Sequence, residues 1–132
     1  MAEILLIGAD GMLGRCWEEL LRTRGLPYRA TTIDDLDITD SDALERAITG
    51  DINWVVNCAA YTLVDDAEAH EKLATAVNGH AVGKMVERSR EIGAKLLHYS
   101  TDYVFDGTAT EPYRTDQPRS PVNAYRRSKA GG

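Results

Sequence analysis

Apolar residues along the chain fall into short continuous runs separated by longer segments with helical spacing. The continuous runs are residues 4–7, 54–58 and 95–99, with a weaker one at 28–31. Runs without regular polar alternation are typical of strands buried on both faces, as in a parallel sheet. Each run therefore predicts one strand of such a sheet.

The segments between the runs place apolar residues three or four positions apart, as amphipathic helices do. Leu13 and Trp17 share a face of a first helix, which is closed by the glycine at position 25. A short second helix follows Asp40 or Ser41, either of which can cap it, and ends near Ile48. Helices between strands predict right-handed β-α-β units, so the fold class is α/β.

The longest helical pattern covers residues 67–92, and Gly93 is a suitable residue to end it. Asn78 interrupts its apolar face, where it either binds backbone or water near a site or bends the helix. The residues predicted on the buried face are Leu73, Val77, Met85, Val86 and Ser89.

The periodicity is lost between residues 101 and 121, where glycine and proline punctuate the chain and indicate a loop. A last helix is predicted after this loop, and it carries Tyr125 and Lys129. The whole chain has 132 residues, which is the size of one domain.

Charge and cysteine content narrow the class of protein. Fifteen Lys and Arg face 21 Asp and Glu, and the net charge of −6 argues against nonspecific binding to nucleic acid or acidic membranes. Cys16 and Cys58 are far apart and form no redox or metal motif, so a reduced, cytoplasmic protein is expected. His70, His80 and His98 share no metal-ligand spacing, so no metal site is expected. No run is long enough to span a membrane, and the N-terminus does not read as a signal peptide.

Gly8, Gly11 and Gly14 lie three residues apart between the first predicted strand and the first predicted helix. Glycine permits a tight turn and the close approach of backbone N–H groups to a pyrophosphate, which the helix N-terminus also favours. In this strand-loop-helix context the glycines predict dinucleotide binding, although a structural turn can also require them.

The acidic residue that commonly binds the adenine ribose is missing from the end of the second strand. Thr31 and Thr32 occupy that place, and Arg15 is the one nearby cation that could meet a 2′-phosphate. The choice between NADH and NADPH therefore stays open. Residues 37–40 either lie beside an adenine or form an acidic turn and helix cap, and the small residues 57–60 either admit a cofactor or merely pack tightly.

Thr101, Tyr125 and Lys129 form a second candidate group. Reduction of a ketone needs a proton donor as charge builds on the oxygen. A free phenol has a pKa near 10, and a lysine ammonium one helical turn away lowers it towards neutrality. A hydroxyl such as that of Thr101 can orient the carbonyl. A tyrosine four residues before a lysine is common on surface helices and predicts no chemistry by itself. Because the group follows a glycine loop along the chain, it predicts hydride transfer from a nicotinamide to a carbonyl.

Together these motifs resemble the extended short-chain dehydrogenase/reductase family, closest to the dTDP-4-dehydrorhamnose reductases. The resemblance implies a Rossmann-like, doubly wound parallel sheet that binds NADPH or NADH and reduces the 4-keto group of a nucleotide-activated 6-deoxy sugar in dTDP-rhamnose biosynthesis. The stretches that carry it are 8–14, 36–40, 57–62, 64–65, 76–78, 100–107 and 121–131.

The resemblance also assigns roles to residues. Thr101, Tyr125 and Lys129 would be catalytic. The cofactor would be bound by Gly8, Asp10, Gly11, Met12, Leu13, Gly14, Asp37, Ile38, Cys58, Ala59, Ala60, Tyr61, Asn78, Ser100, Tyr125 and Lys129.

Departures from the family pattern limit these expectations. Arg15, Cys16 and Trp17 replace a glutamate that often binds a divalent metal at a subunit contact, so a homodimer linked by that metal is not expected, while a homodimer of another kind remains open. Family members are more than twice as long, so residues 1–132 would be the N-terminal NAD(P)-binding part, without the last strands and the substrate domain, and would turn over little alone.

Two alternatives to a reductase remain. One is a non-catalytic subunit on the same fold, as in the regulatory subunit of methionine adenosyltransferase. The other is a sugar-nucleotide epimerase. The sequence Val104-Phe105-Asp106-Gly107 fits the reductases better than the epimerases, and the residues after Thr101 lack the glutamate of the related dehydratases.

Overall fold

The structure, a computed structural model, describes residues 3–60, 64–101 and 104–132. Strands and helices alternate along most of it, as the apolar pattern predicts. The strands are β1 (Glu3–Ile7), β2 (Tyr28–Thr31), β3 (Ile52–Asn57) and β4 (Lys95–His98). The helices are α1 (Met12–Thr23), α2 (Ser41–Ala47), α3 (Val64–Ala69), α4 (Glu71–Thr75), α5 (Ala81–Ile92) and α6 (Ala124–Ala130), with a π-helical turn at Ala76–His80.

The strands form one parallel sheet in the order β2-β1-β3-β4. In the register of the sheet, Ile7 pairs with both Thr31 and Asn57, and Asn57 pairs with His98. The carboxyl ends of all these strands therefore lie in one row. The strand order reverses beside β1, and such a switch point is where open α/β sheets bind ligands. The predicted fold class is confirmed.

Alternate residues of the central strands pack against helices on opposite faces of the sheet. Leu5 and Val55 join the larger cluster, which contains Leu44 of α2 and Met85 of α5. Their neighbours in the strands face the other way and pack with Trp17 of α1. Because both faces are covered, the strands carry continuous apolar runs rather than an alternating pattern.

The single α-helix predicted over residues 67–92 is wrong, because the chain is interrupted at His70 and widens into a π-helical turn at Ala76–His80. His70 has a non-helical backbone (φ −127°, ψ 43°) and separates α3 from α4. The π-helical turn then separates α4 from α5. The predicted apolar face is buried only in part: Met85 is buried, whereas Leu73 and Val86 are 49% and 40% exposed. Gly93 ends α5 in the left-handed conformation (φ 74°), as predicted.

Residues 104–121 form a loop, as expected, and α6 follows it. Asn123 caps α6 by accepting a hydrogen bond from the backbone N–H of Arg126 at 2.8 Å. Within the part of the chain that the structure describes, no helix combines the length and the apolarity that a membrane crossing requires.

Candidate cofactor and active site

A cavity of about 390 Å³ opens at the carboxyl ends of β1, β2 and β3. Its walls bring together the glycine loop after β1, the segment before α2 and the segment after β3, which are distant in sequence. The predicted cofactor residues that line this first cavity are Gly8, Asp10, Gly11, Asp37, Ile38, Cys58, Ala59 and Ala60.

Two of the glycines are required by the protein itself. Gly8 has a φ of +76°, and a Cβ there would lie 2.6 Å from the backbone nitrogen of Ala59. A Cβ on Gly14 would lie 2.7 Å from the Cα of Ala9, inside the contact between α1 and the loop. Real Cβ atoms do not approach backbone this closely, so these positions hold the loop against β3 and α1 against the loop.

Gly11 differs, because a Cβ there would meet no protein atom closer than the Gly8 carbonyl oxygen at 3.6 Å. The protein does not need a glycine at this position, yet Gly11 lines the cavity. A ligand that approaches the backbone closely would account for it.

The N-terminus of α1 also suits an anion. Its cap residue, Gly11, has no side chain to accept from the first N–H groups, and the first turn has no acidic residue. By contrast, Asp40 caps α2 by accepting from the backbone N–H groups of Asp42 and Ala43. A pyrophosphate at α1 would meet free N–H donors and the positive end of the helix dipole. These observations fit a dinucleotide.

The sequence left two roles open for residues 37–40, a place beside an adenine or an acidic turn and helix cap. Asp37 and Asp40 differ in this respect. Asp40 is the cap of α2. Asp37 lines the cavity, and its carboxylate accepts hydrogen bonds from the hydroxyl and the backbone N–H of Thr39 at 2.6 and 3.0 Å. These bonds hold the pKa of Asp37 below its usual value, so its carboxylate is a fixed acceptor in the cavity wall.

The wall after β3 is braced by a buried amide. Asn57 accepts from the backbone N–H of Ala59 at 3.1 Å and donates to Nδ1 of His98 at 3.1 Å. Burial raises the pKa of the neighbouring Cys58 thiol to about 11, so Cys58 is an uncharged wall residue rather than a nucleophile. Cys58, Ala59 and Ala60 all line the cavity, and backbone hydrogen bonds hold the first two in place.

Ser100 and Thr101 follow β4 and line a second cavity of about 460 Å³, together with Val104, Phe105, Thr115 and Arg119. Lys129 of α6 reaches the same strand end, because its Nζ donates to the carbonyl oxygen of Tyr99 at 2.8 Å. Lys129 is only 5% exposed, and burial lowers the pKa of its ammonium. The structure therefore brings Lys129 to the segment that carries Thr101.

Tyr125 lies one turn before Lys129 on α6 and packs against a small cluster that includes Ala67 and Ala74. It does not belong to the walls of either cavity. Asn78 is also outside both walls; it is buried in the π-helical turn, and its Nδ2 donates to Oγ of Ser128 at 2.8 Å. Its observed role is to join that turn to α6.

The remaining predicted residues are distributed as follows. Gly14 is buried behind the loop, while Met12 and Leu13 are exposed on α1. Tyr61 lies outside the described residues.

The cavity walls contain residues that sequence reasoning did not select. The first cavity is also lined by Ile7, Thr32, Ile33, Leu36, Leu73 and Val77. Leu73 and Val77 were expected to be core residues because they lie four apart on one helix face. Local periodicity identifies an apolar face but does not reveal whether protein or ligand covers it.

Among the described residues, no group of three or more His, Cys, Asp and Glu side chains is placed to hold a metal ion.

Comparison with known proteins gives the family. The model of the RmlD substrate binding domain matches residues 1–132. The chain belongs to this family. Its relatives include a dTDP-4-dehydrorhamnose reductase of Streptomyces griseus, which is 45% identical over 129 residues, or 97% of this chain and 42% of the relative. A dTDP-4-keto-6-deoxy-D-glucose reductase of Streptomyces niveus is 43% identical over 97% of the chain and 45% of its own length.

Solved structures of the RmlD family superimpose closely on this chain. A dTDP-4-dehydrorhamnose reductase from Clostridium acetobutylicum gives a TM-score of 0.91 at 34% identity, covering 99% of this chain and 47% of that one. The enzyme from Bacillus anthracis, solved in complex with NADP, gives a TM-score of 0.88 at 32% identity, covering 98% of this chain and 46% of that one. The chain thus spans less than half the length of these relatives.

Proposed function

We propose that residues 1–132 form the NAD(P)-binding part of a reductase that converts the 4-keto group of a nucleotide-activated 6-deoxy sugar to an alcohol. The family membership and the names of the relatives support this reaction. The first cavity supports the cofactor, because its glycine loop, uncapped helix N-terminus and small wall residues suit a dinucleotide.

In this proposal the dinucleotide supplies the hydride, and the chain holds it in place. The N–H groups at the start of α1 bind the pyrophosphate, with Gly11 allowing its close approach. The segment that includes Asp37 and Ile38 lies beside the adenosine. Cys58, Ala59 and Ala60 pack along the nicotinamide half, where Asn57 fixes their backbone through its bond to the N–H of Ala59.

The proton would come from α6. Tyr125 donates its phenolic proton to the ketone oxygen as negative charge develops there. The Lys129 ammonium favours the ionised phenol that results, and the Thr101 hydroxyl orients the ketone in the second cavity. The observation that carries this assignment is the 2.8 Å bond from Lys129 Nζ to the carbonyl oxygen of Tyr99, because it ties α6 to the strand end that bears Thr101.

The reaction is tested by incubating the protein, expressed from its complete gene, with NADPH and a dTDP-4-keto-6-deoxyhexose. We expect NADPH oxidation that depends on the sugar nucleotide and a product heavier by two hydrogens. An epimerase would leave the mass of the sugar nucleotide and the NADPH concentration unchanged. Cofactor binding without turnover would contradict the reductase and favour a non-catalytic subunit.

The proposal extends to the setting of the enzyme. We place it in the cytoplasm, in keeping with its free cysteines Cys16 and Cys58, and allow for a homodimer. Cell fractionation and light scattering of the purified protein test these two statements separately.

A further inference from the structure

Tyr99 lies directly after β4 and is contacted by both α1 and α6. Along β4 the side chains alternate between the two faces of the sheet: Leu96 packs in the larger cluster, whereas Leu97 packs with Trp17 of α1. The side chain of Tyr99 lies on the same face as Leu97, where its hydroxyl oxygen accepts a hydrogen bond from Nε1 of Trp17 at 2.9 Å. The phenol of Tyr99 is therefore held by α1.

The backbone of the same residue is held by α6. The Nζ atom of Lys129 donates to the carbonyl oxygen of Tyr99 at 2.8 Å. The two residues that follow Tyr99 are Ser100 and Thr101, which line the second cavity. Tyr99 thus joins the helix that begins at the glycine loop to the helix that carries Tyr125, and it does so next to the residue proposed to orient the ketone.

Lys129 needs this carbonyl because its ammonium is buried. The residue is 5% exposed, and burial lowers the pKa of the ammonium, since a buried charge without polar partners is costly. The Tyr99 carbonyl oxygen is the acceptor that the structure gives it, and a hydrogen bond to the charged form favours that form. In the proposed reaction only the charged form of Lys129 would stabilise the ionised phenol of Tyr125. The place of the Tyr99 carbonyl therefore determines where this charge lies.

We infer that Trp17 is a positioning residue of the reaction, which acts through Tyr99 on the carbonyl that Lys129 binds. The inference rests on the proposed function, in which Lys129 assists proton transfer from Tyr125. Trp17 lines neither the first nor the second cavity, so a direct contact with the cofactor or the ketone would not explain an effect on turnover. The hydrogen bond between the Trp17 indole and the Tyr99 phenol is the link that carries this effect.

The test is a double-mutant cycle on turnover, made in the protein expressed from its complete gene. Trp17→Phe, Tyr99→Phe and the double variant each keep the aromatic rings and remove one or both partners of the hydrogen bond. For each, kcat and KM on a dTDP-4-keto-6-deoxyhexose and the dissociation constant for NADPH are measured at a temperature where thermal unfolding shows the variant to be folded. We expect each single variant to lower kcat roughly two- to tenfold, the range of one hydrogen bond, while KM and NADPH binding stay within about twofold. The double variant should lose no more than a single variant, because both changes remove the same bond.

Trp54→Phe is the matched control, because Trp54 lines the same apolar groove as Trp17 but its ring lies beside Lys95. It should keep the wild-type kcat. An unchanged kcat in Tyr99→Phe, losses that multiply in the double variant, or an equal loss in Trp54→Phe would overturn the role of Trp17 and leave the reductase in place. Tyr99→Phe removes only a hydroxyl from an exposed side chain, so it decides the question even where Trp17→Phe folds poorly. A wild type that does not oxidise NADPH with the sugar nucleotide would instead overturn the proposed function, and the inference with it.

Discussion

Gly11 and Gly14 look equivalent in the sequence, yet an added Cβ would meet different surroundings at the two positions. A Cβ on Gly14 would collide with the backbone of the loop, whereas a Cβ on Gly11 would sit in ordinary contact with the protein. Gly14 is thus required by the fold, whereas in the proposed function Gly11 allows the cofactor to approach the backbone. The two positions therefore allow folding and cofactor binding to be separated at the level of single methyl groups.

We expect Gly14→Ala to lower the free energy of unfolding by about 1–3 kcal/mol, which is the usual cost of overpacking. The added Cβ must push α1 away from the loop. Gly11→Ala should cost less than about 1 kcal/mol, the size of a cap effect, but should weaken NADPH binding. Urea denaturation and titration with NADPH measure the two effects. Equal losses of stability in both variants would contradict this division of roles.

His98 makes the stability of the fold depend on pH. Burial, and then the positive charge of Lys129, lower the pKa of His98 below its ordinary value of 6.5. Between the lowered pKa and 6.5 the unfolded chain binds more protons at this position than the folded chain, so this contribution to stability rises with pH and is complete above 6.5. Protonation would also remove the acceptor that Nδ1 offers to Asn57.

Thermal unfolding between pH 5 and pH 7 tests this effect. The wild type should lose stability as the pH falls through this range. His98→Asn, which keeps an acceptor for the Asn57 amide but cannot be protonated, should show a smaller loss. The same slope in both proteins would assign the pH dependence to other groups.

At the scale of elements, α6 is held to the rest of the chain by polar contacts between distant segments. Asn78 of the π-helical turn donates to Ser128 Oγ, 50 residues away, and the backbone N–H of Ala124 donates to Glu68 at 2.6 Å. Arg127 adds an exposed ion pair with Glu71 at 2.7 Å. Of these three contacts, we expect the buried Asn78–Ser128 bond to stabilise the position of α6 most, because exposed ion pairs contribute little.

Two buried serines provide a matched test of that contact. Ser128→Ala should lower the free energy of unfolding by about 1–3 kcal/mol, since it takes an acceptor away from the buried Asn78 amide. Ser89 is equally buried, but its hydroxyl has no hydrogen-bond partner among the described residues. Ser89→Ala should therefore be neutral or stabilising. A loss of stability in Ser89→Ala as large as that in Ser128→Ala would refute the special role of the Asn78 contact.

The elements differ in how far the sequence predicts them. The strands and the cap of α2 follow from a few neighbouring residues, such as Asp40, and they lie where expected. The sequence does not predict the interruption at His70 or the π-helical turn, because an uninterrupted pattern of helix formers does not show them. The turn contains Asn78, whose partner Ser128 becomes its neighbour only after folding.

At the scale of the whole molecule, most residues of the first cavity come from loops after β1, β2 and β3 that the parallel sheet brings to one edge. The sequence predicts this edge, since motifs at the ends of parallel strands must meet there. It does not predict Leu73 and Val77 as wall residues, because their apolar spacing is equally typical of a core. Nor does the local sequence pattern predict that Lys129 is buried, because its burial depends on the packing of α6 against α3, α4 and the π-helical turn.

In the proposed function, Tyr125 is the proton donor of a reductase whose cofactor is bound mainly by the glycine loop and the strand ends of the first cavity. The most direct measurement compares the dissociation constant for NADPH with kcat on a dTDP-4-keto-6-deoxyhexose in Tyr125→Phe, with Tyr28→Phe as a control phenol on β2. We predict that kcat falls at least about a hundredfold in Tyr125→Phe, as loss of a general acid does, while NADPH binding stays within about twofold and Tyr28→Phe behaves as wild type. Wild-type turnover by Tyr125→Phe would contradict the account.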